Sequence, residues 1–164
     1  MKKLLFMRHA KSSWSEPFQE DFDRTLNDRG KSDAPIMAAR IGKQFIPELI
    51  TASPAKRTQK TAKIFIETLK LNNNILQFDM GLYEAEISDI LHVIRETDDH
   101  INQLMLVGHN PGFTGIVGFL TEDFIENMPT SGAALLKLNI LSWKQVSRNC
   151  GTIEWFDFPK KSDV

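Results

Sequence analysis

Arg8 and His9 follow directly on an apolar run, Leu4–Met7. Arg57 lies in the stretch SPAKRTQKTA, and His109 in MLVGHNPGF. Arginine carries a planar fork of N–H donors that matches phosphate oxygens and stays charged at any relevant pH. Histidine can serve as nucleophile, acid, base or metal ligand. Brought to one place, two arginines and two histidines can hold a phosphoryl group and react with it. Each taken singly has an ordinary explanation. Strands often stop at polar residues, a surface arginine often pairs with a carboxylate, and a histidine can fill a tight turn. Convergence of the elements that carry them decides between the two readings.

Lys3–Met7 has the uninterrupted apolar character of a buried strand. Glu16–Thr25 is polar and charged, and reads as a loop. Asn27 can cap a helix whose apolar positions are Ala34, Met37, Ala38, Ile41 and Phe45, with Pro35 marking a kink or a restart. Leu49–Ala52 is a short strand. Ser53 and Pro54 then read as the N-cap and first residue of a helix that runs to about Leu69. A weaker strand at Ile75–Phe78, a helix at Ile87–Arg95 and a buried strand at Gln103–Val107 follow. Gly108 to Pro111 turns the chain into a helix reaching about Leu120. Ala133–Ile140 and Thr152–Phe158 have the alternation of paired late strands.

Strand and helix alternate over most of the length, which predicts an α/β fold, a three-layer α/β/α sandwich on a mostly parallel central sheet. In such sheets ligands lie beyond the carboxyl ends of the strands. Arg8-His9, Ser53…Arg57 and His109 all fall at such ends, and the ordinary readings weaken together.

The chain has 164 residues, 41% of them hydrophobic, and the reading places no internal boundary: residues 1–164 form a single domain. The formal net charge is −1, which gives no global attraction to nucleic acid or acidic membranes. Anion binding must be local. The single cysteine, Cys150, excludes an internal disulfide and CxxC-type sites, and fits a reducing cytoplasm. The start MKKLLFMRHA resembles the opening of a signal peptide, but Arg8 ends its apolar run after four residues. No stretch approaches the ~18 apolar residues of a membrane span. The expectation is a cytoplasmic protein without nucleic-acid or membrane partners. No oligomeric state follows from the sequence.

Walker-type and GxGxxG nucleotide motifs are absent. Asp21 and Asp23 have the chemistry of metal ligands, but Arg8 and Arg57 would repel a cation. Phosphate held by side chains, with no metal and no cofactor, is the reading the residues favour.

The three motifs, in this order, resemble those of the histidine phosphatase superfamily, the phosphoglycerate-mutase-like fold. RHAKSSW, DFDRTLNDRG, GHNPG and TSGAALLKL resemble the short SixA-type phosphohistidine phosphatases, and the likeness spans nearly the whole chain. The resemblance implies that His9 is the nucleophile that becomes phosphorylated. It implies that Arg8, Arg57 and His109 form the phosphate pocket, joined by the backbone N–H of Asn110. Lys11 adds charge at the mouth, and a protonated His109 would add more. Glu84, in GLYEAEI, falls where larger members supply a general acid, although an imidazole leaving group needs little protonic help. Ala10 stands where many members have glycine. Asp21, Asp23 and Arg24, in the loop after the first motif, either shape the entrance, hold a pocket residue or are solvated loop charge, and Trp14 near the motif is placed to line the mouth. His92 and His100 read as surface residues, Trp143 and Trp155 as packing residues, and Lys160-Lys161 as a solvated pair.

The chain has no room for the long cap insertions of large superfamily members. An open pocket suits a phosphohistidine-bearing phosphotransfer protein as substrate. The alternatives are a phosphatase or mutase for a small phosphomonoester, which would need cations for a second anionic group, and a phosphate-binding module without catalysis.

Overall fold

The computed structural model describes residues 1–160. Strand β1 (Lys2–Arg8) carries apolar residues on both faces, and Leu4, Leu5, Phe6 and Met7 are all fully buried. Successive strand side chains point to opposite faces. Leu4 and Phe6 pack with helices α3 (Ile87–Arg95) and α4 (Gly112–Thr121), through Ile90, Ile94, Phe113 and Val117. Leu5 and Met7 pack with α1 (Asp28–Gly42) and α2 (Lys56–Leu69), through Met37, Ile41, Ala62 and Phe65. Each fully buried side chain of this size contributes roughly 1.5–3 kcal/mol. Helices therefore cover both faces of the sheet, giving the α/β/α sandwich.

The remaining strands are β2 (Leu49–Ala52), β3 (Leu76–Phe78), β4 (Gln103–Gly108), β5 (Ala133–Leu138) and β6 (Gly151–Asp157). They form one sheet in the order β3-β2-β4-β1-β5-β6. The first four strands are parallel; β5 runs antiparallel to β1, and β6 antiparallel to β5. Register aligns Arg8 with Gly108, so His9 and His109 leave neighbouring strands at the same level. The His9 N–H donates to the Gly108 carbonyl at 3.0 Å, and the Ser53 N–H to the Val107 carbonyl at 3.0 Å. The ends of β2, β4 and β1 are thereby tied side by side.

One local expectation is narrowed and one corrected. Helix α1 continues through Pro35, which removes the restart from the two readings of that proline. The bond lost there is to the carbonyl of Lys31, an exposed residue that water can reach. Helix α2 begins at Lys56 with Ala55 as its cap, later than Ser53-Pro54 suggests. Ser53 is instead committed to a histidine, as described below.

Candidate active site

His9 sits one residue beyond β1 and is 7% exposed. Its Nδ1 lies 2.8 Å from the Ala10 carbonyl oxygen. A carbonyl can only accept, so the proton is on Nδ1 and the Nε2 lone pair is free. Burial, followed by the charges of His109, Arg57 and Arg8, pushes the His9 pKa down to about 3 against the opposing pull of the Ala10 bond. The imidazole is neutral at pH 7.

Arg57 is the second residue of α2 and only 5% exposed. One of its terminal nitrogens donates to the Asp21 backbone carbonyl at 2.7 Å. The other donates to the Asp21 carboxylate at 2.9 Å and lies 3.3 Å from His109 Nδ1. The arginine–carboxylate pairing considered from sequence is thus present, but it is buried on the arginine side. Arg8, at the end of β1, donates from Nη1 to the Met128 carbonyl at 2.8 Å. Desolvation and the nearby Arg57 lower its pKa, so the two guanidinium groups strain against each other electrostatically. The Nε atoms of both arginines are buried without a hydrogen-bond partner. Unpaired buried donors are costly, and together they suit an anion.

His109 follows β4 and is 9% exposed. Its Nδ1 accepts from Arg57, so its Nε2 carries the proton and donates to Ser53 Oγ at 2.8 Å. Burial and then Arg57 lower its pKa to about 4. His109 is therefore neutral at pH 7 and adds no positive charge of its own, unlike the protonated form considered from sequence. An anion beside it would move the value upward.

These groups line a cavity of about 480 Å³ together with Lys11, Ser12, Trp14, Asp21, Arg24, Tyr83, Glu84, Asn110 and Thr130. All seven site residues expected from sequence border this one space. Glu84 is exposed on the wall, with backbone φ of 51°. Asn110 spends its side chain on structure. Its amide donates to the Met128 carbonyl at 3.0 Å and to Asn127 Oδ1 at 2.9 Å, and its Oδ1 accepts from Thr114. The Asn110 backbone N–H has no protein partner among the described residues. Trp14 is 77% exposed, with its ring 3.2 Å from the Arg24 guanidinium carbon. Asp23 stays outside the cavity lining and pairs with Lys56 at 3.6 Å. His92 and His100 are exposed, Trp143 is fully buried, and Trp155 packs against the α1–α2 core. Of the Lys160-Lys161 pair, Lys161 lies outside the described residues.

Of the readings open to Asp21, the structure shows the one in which it holds a pocket residue, and makes it a hub. Its carboxylate accepts from Arg57, from Arg24 at 2.9 Å and from Tyr83 Oη at 2.7 Å. Burial opposes ionisation, but the bonds from Tyr83, Arg57 and Arg24 outweigh it and hold the pKa at about 2. The same contact, with burial as the larger cause, raises Tyr83 to about 12. Arg24 reaches on to Ser12 Oγ and the Ser13 carbonyl, which fixes the loop after His9. Thr61 was missed. Its Oγ1 donates to the Arg57 carbonyl at 2.7 Å and accepts from the Ala10 N–H at 3.0 Å. The Arg57-to-Thr61 spacing of one helical turn was the available signal for it.

Among the described residues no group of three or more His, Cys, Asp or Glu is placed to share a metal ion. No helix among them is long and apolar enough to cross a membrane.

Comparison with known proteins bears on the family and the fold. The sequence model of the histidine phosphatase superfamily (branch 1) matches residues 4–104, and the chain belongs to that superfamily. Its fold is of the SixA type, and the protein is a phosphatase. A solved structure named as a candidate phosphohistidine phosphatase SixA of Agrobacterium tumefaciens is 25% identical. The match covers 96% of this chain and 98% of that one, with a TM-score of 0.79. An uncharacterized chloroplastic protein of Arabidopsis thaliana is 27% identical over 94% of this chain and 74% of its own length. Phosphoserine phosphatase 1 of Hydrogenobacter thermophilus is 33% identical over 52% of this chain and 43% of its own.

Proposed function

We propose that the protein hydrolyses phosphohistidine on a protein substrate through a phosphoryl intermediate on His9. The observation that carries this is the state of His9. It is a neutral imidazole with its proton locked on Nδ1 and its Nε2 lone pair free, in a cavity shared with the buried Arg57 and the half-buried Arg8. A cationic imidazole could not attack phosphorus.

In the first step His9 Nε2 attacks phosphorus, and the P–N bond to the substrate imidazole breaks. The departing ring nitrogen takes up a proton from solvent. In the second step water attacks phosphorus and gives a proton back to solvent, the P–Nε2 bond breaks, and inorganic phosphate leaves with His9 neutral again, its Nδ1 proton kept throughout. Arg8 and Arg57 hold the phosphoryl oxygens through both steps, and their fixed charge meets the charge that develops. His109 and the Asn110 N–H complete the oxygen contacts, and Lys11 attracts the substrate at the mouth. Glu84 is a proton donor on the rim. It matters more for an alkoxide than for an imidazole leaving group.

The protein substrate is favoured by a wide cavity whose mouth presents the exposed Trp14, and by the name of the A. tumefaciens structure. A small phosphomonoester is the second reading, and the matching stretch of a phosphoserine phosphatase favours it. Comparing kcat/KM on a phosphorylated histidine phosphotransfer domain and on p-nitrophenyl phosphate tests the choice. The proposal expects the domain to be preferred by orders of magnitude. Preference for small esters would overturn the substrate while leaving the chemistry in place.

A further inference from the structure

A second cleft, of about 240 Å³, opens beside the candidate active site, and Lys11 and Thr130 line both spaces. The second cleft also holds Arg29, from the first turn of α1, and Lys160, just past β6. Among the described residues its single carboxylate is Asp33, which already pairs with Arg29 at 3.4 Å. Lys11 and Lys160 have no ion pair among the described residues. The floor is apolar, formed by Pro129, Phe158 and Pro159. Three cations around one already committed carboxylate, over an apolar floor, suit an anion borne on a hydrocarbon stem.

The walls are held in place by the fold. A Cβ on Gly30 would lie 2.1 Å from the Lys11 carbonyl oxygen, so only glycine lets α1 press its first turn against the Lys11 backbone. The Asn27 N–H donates to that same carbonyl at 3.0 Å. These contacts set Arg29 beside Lys11. On the other side Arg40 of α1 donates to the Phe158 and Pro159 carbonyls at 3.2 and 3.3 Å, which fastens the segment carrying Lys160.

We propose that this cleft seats a second anionic group, a carboxylate, of the same substrate molecule whose phosphoryl group lies between Arg8 and Arg57. The inference rests on the phosphatase reading above and adds a requirement about the substrate. In a protein substrate the carboxylate belongs to an Asp or Glu near the phosphohistidine. In a small substrate it belongs to the phosphomonoester itself. The cleft supplies the cations for a second anion that the sequence showed only as Lys11.

The test uses the full chain and an Arg29→Gln/Lys160→Gln double variant, with Lys160→Glu as a second variant. Three substrates are compared. They are a phosphorylated histidine phosphotransfer domain, carboxyphenyl phosphate, and p-nitrophenyl phosphate, which has no carboxylate. Loss of two partly exposed cations is expected to lower kcat/KM roughly tenfold, chiefly through KM, on the substrate that uses the cleft. Turnover of p-nitrophenyl phosphate should stay within about twofold, which also shows that the variant is folded. Selective loss on the domain identifies a protein carboxylate, and selective loss on carboxyphenyl phosphate alone identifies a small one. Equal effects on all three substrates, or none on any, would overturn the subsite. If the wild-type protein fails to act on the domain, the phosphohistidine reading falls. The subsite is then decided by carboxyphenyl phosphate against p-nitrophenyl phosphate.

Discussion

Arg57 serves three partners from one guanidinium group: the Asp21 carbonyl, the Asp21 carboxylate and His109 Nδ1. Only a planar fork can meet all three and still present an unpaired Nε. Arg57→Lys keeps the charge and loses that geometry. Steady-state kinetics on p-nitrophenyl phosphate should show kcat reduced about 10²-fold or more, the scale of losing one preorganised donor at an oxyanion. A lysine variant with near-normal kcat would mean that charge alone suffices. Asp21→Asn removes the charge that gathers Arg57, Arg24 and Tyr83, while keeping the shape. Its expected effect is a lower kcat from a mispositioned Arg57. It should also lower the Tyr83 pKa from about 12 towards its ordinary value, because one cause of the rise is gone. A phenolate titration followed by ultraviolet absorbance reads this directly.

At the scale of elements, the site depends on how two strand ends and one helix start are bound together. Thr61 makes the link between β1 and α2, joining the Ala10 N–H to the Arg57 carbonyl at a fully buried position. Thr61→Val has similar shape but leaves a buried N–H without a partner. The expected cost is about 1–3 kcal/mol in denaturant unfolding, with a fall in kcat because His9 and Arg57 lose their common tether. The elements that carry Arg8, His9, Arg57 and His109 were legible because β1 and β4 are unbroken apolar runs leading into basic residues, and α2 is a helical period that opens beside one. Ile87–Arg95 and Leu49–Ala52 match their expected bounds. Local pattern misjudged Ser53-Pro54 because the Ser53 hydroxyl accepts from His109, 56 residues away. Asp21 likewise meets Arg57 across 36 residues and Tyr83 across 62. Such pairings carry no period in the sequence. They arise only when the sheet order brings β2 and β1 to either side of β4.

For the whole molecule, a site built from neutral buried histidines has a consequence for acid stability. His9 and His109 have pKa values of about 3 and about 4 in the fold, against an ordinary 6.5. Below pH 6.5 the unfolded chain binds protons that the folded one refuses, so stability falls as pH drops towards 4 and 3. Asp21, at about 2 against 3.8, acts in the same direction at lower pH. Urea midpoints between pH 7 and pH 4 should therefore fall more steeply for the wild-type protein than for His9→Gln/His109→Gln. Equal slopes would show that the histidines are not held neutral. The sandwich makes this arrangement possible. Packed helices on both faces leave the rim of strand ends as the place where charged groups meet water and substrate.

The proposed hydrolysis requires the phosphoryl group to pass through His9. Rapid-quench mass spectrometry of the protein mixed with phosphorylated histidine phosphotransfer domain, under alkaline conditions that preserve phosphohistidine, tests it most directly. The expected result is a phosphoryl group on His9, placed on Nε2 by phosphorus-31 NMR, that forms and decays at rates matching turnover. No phosphoenzyme and no turnover are expected in His9→Ala. Normal turnover by His9→Ala, or a phosphoryl group found on another residue, would contradict it.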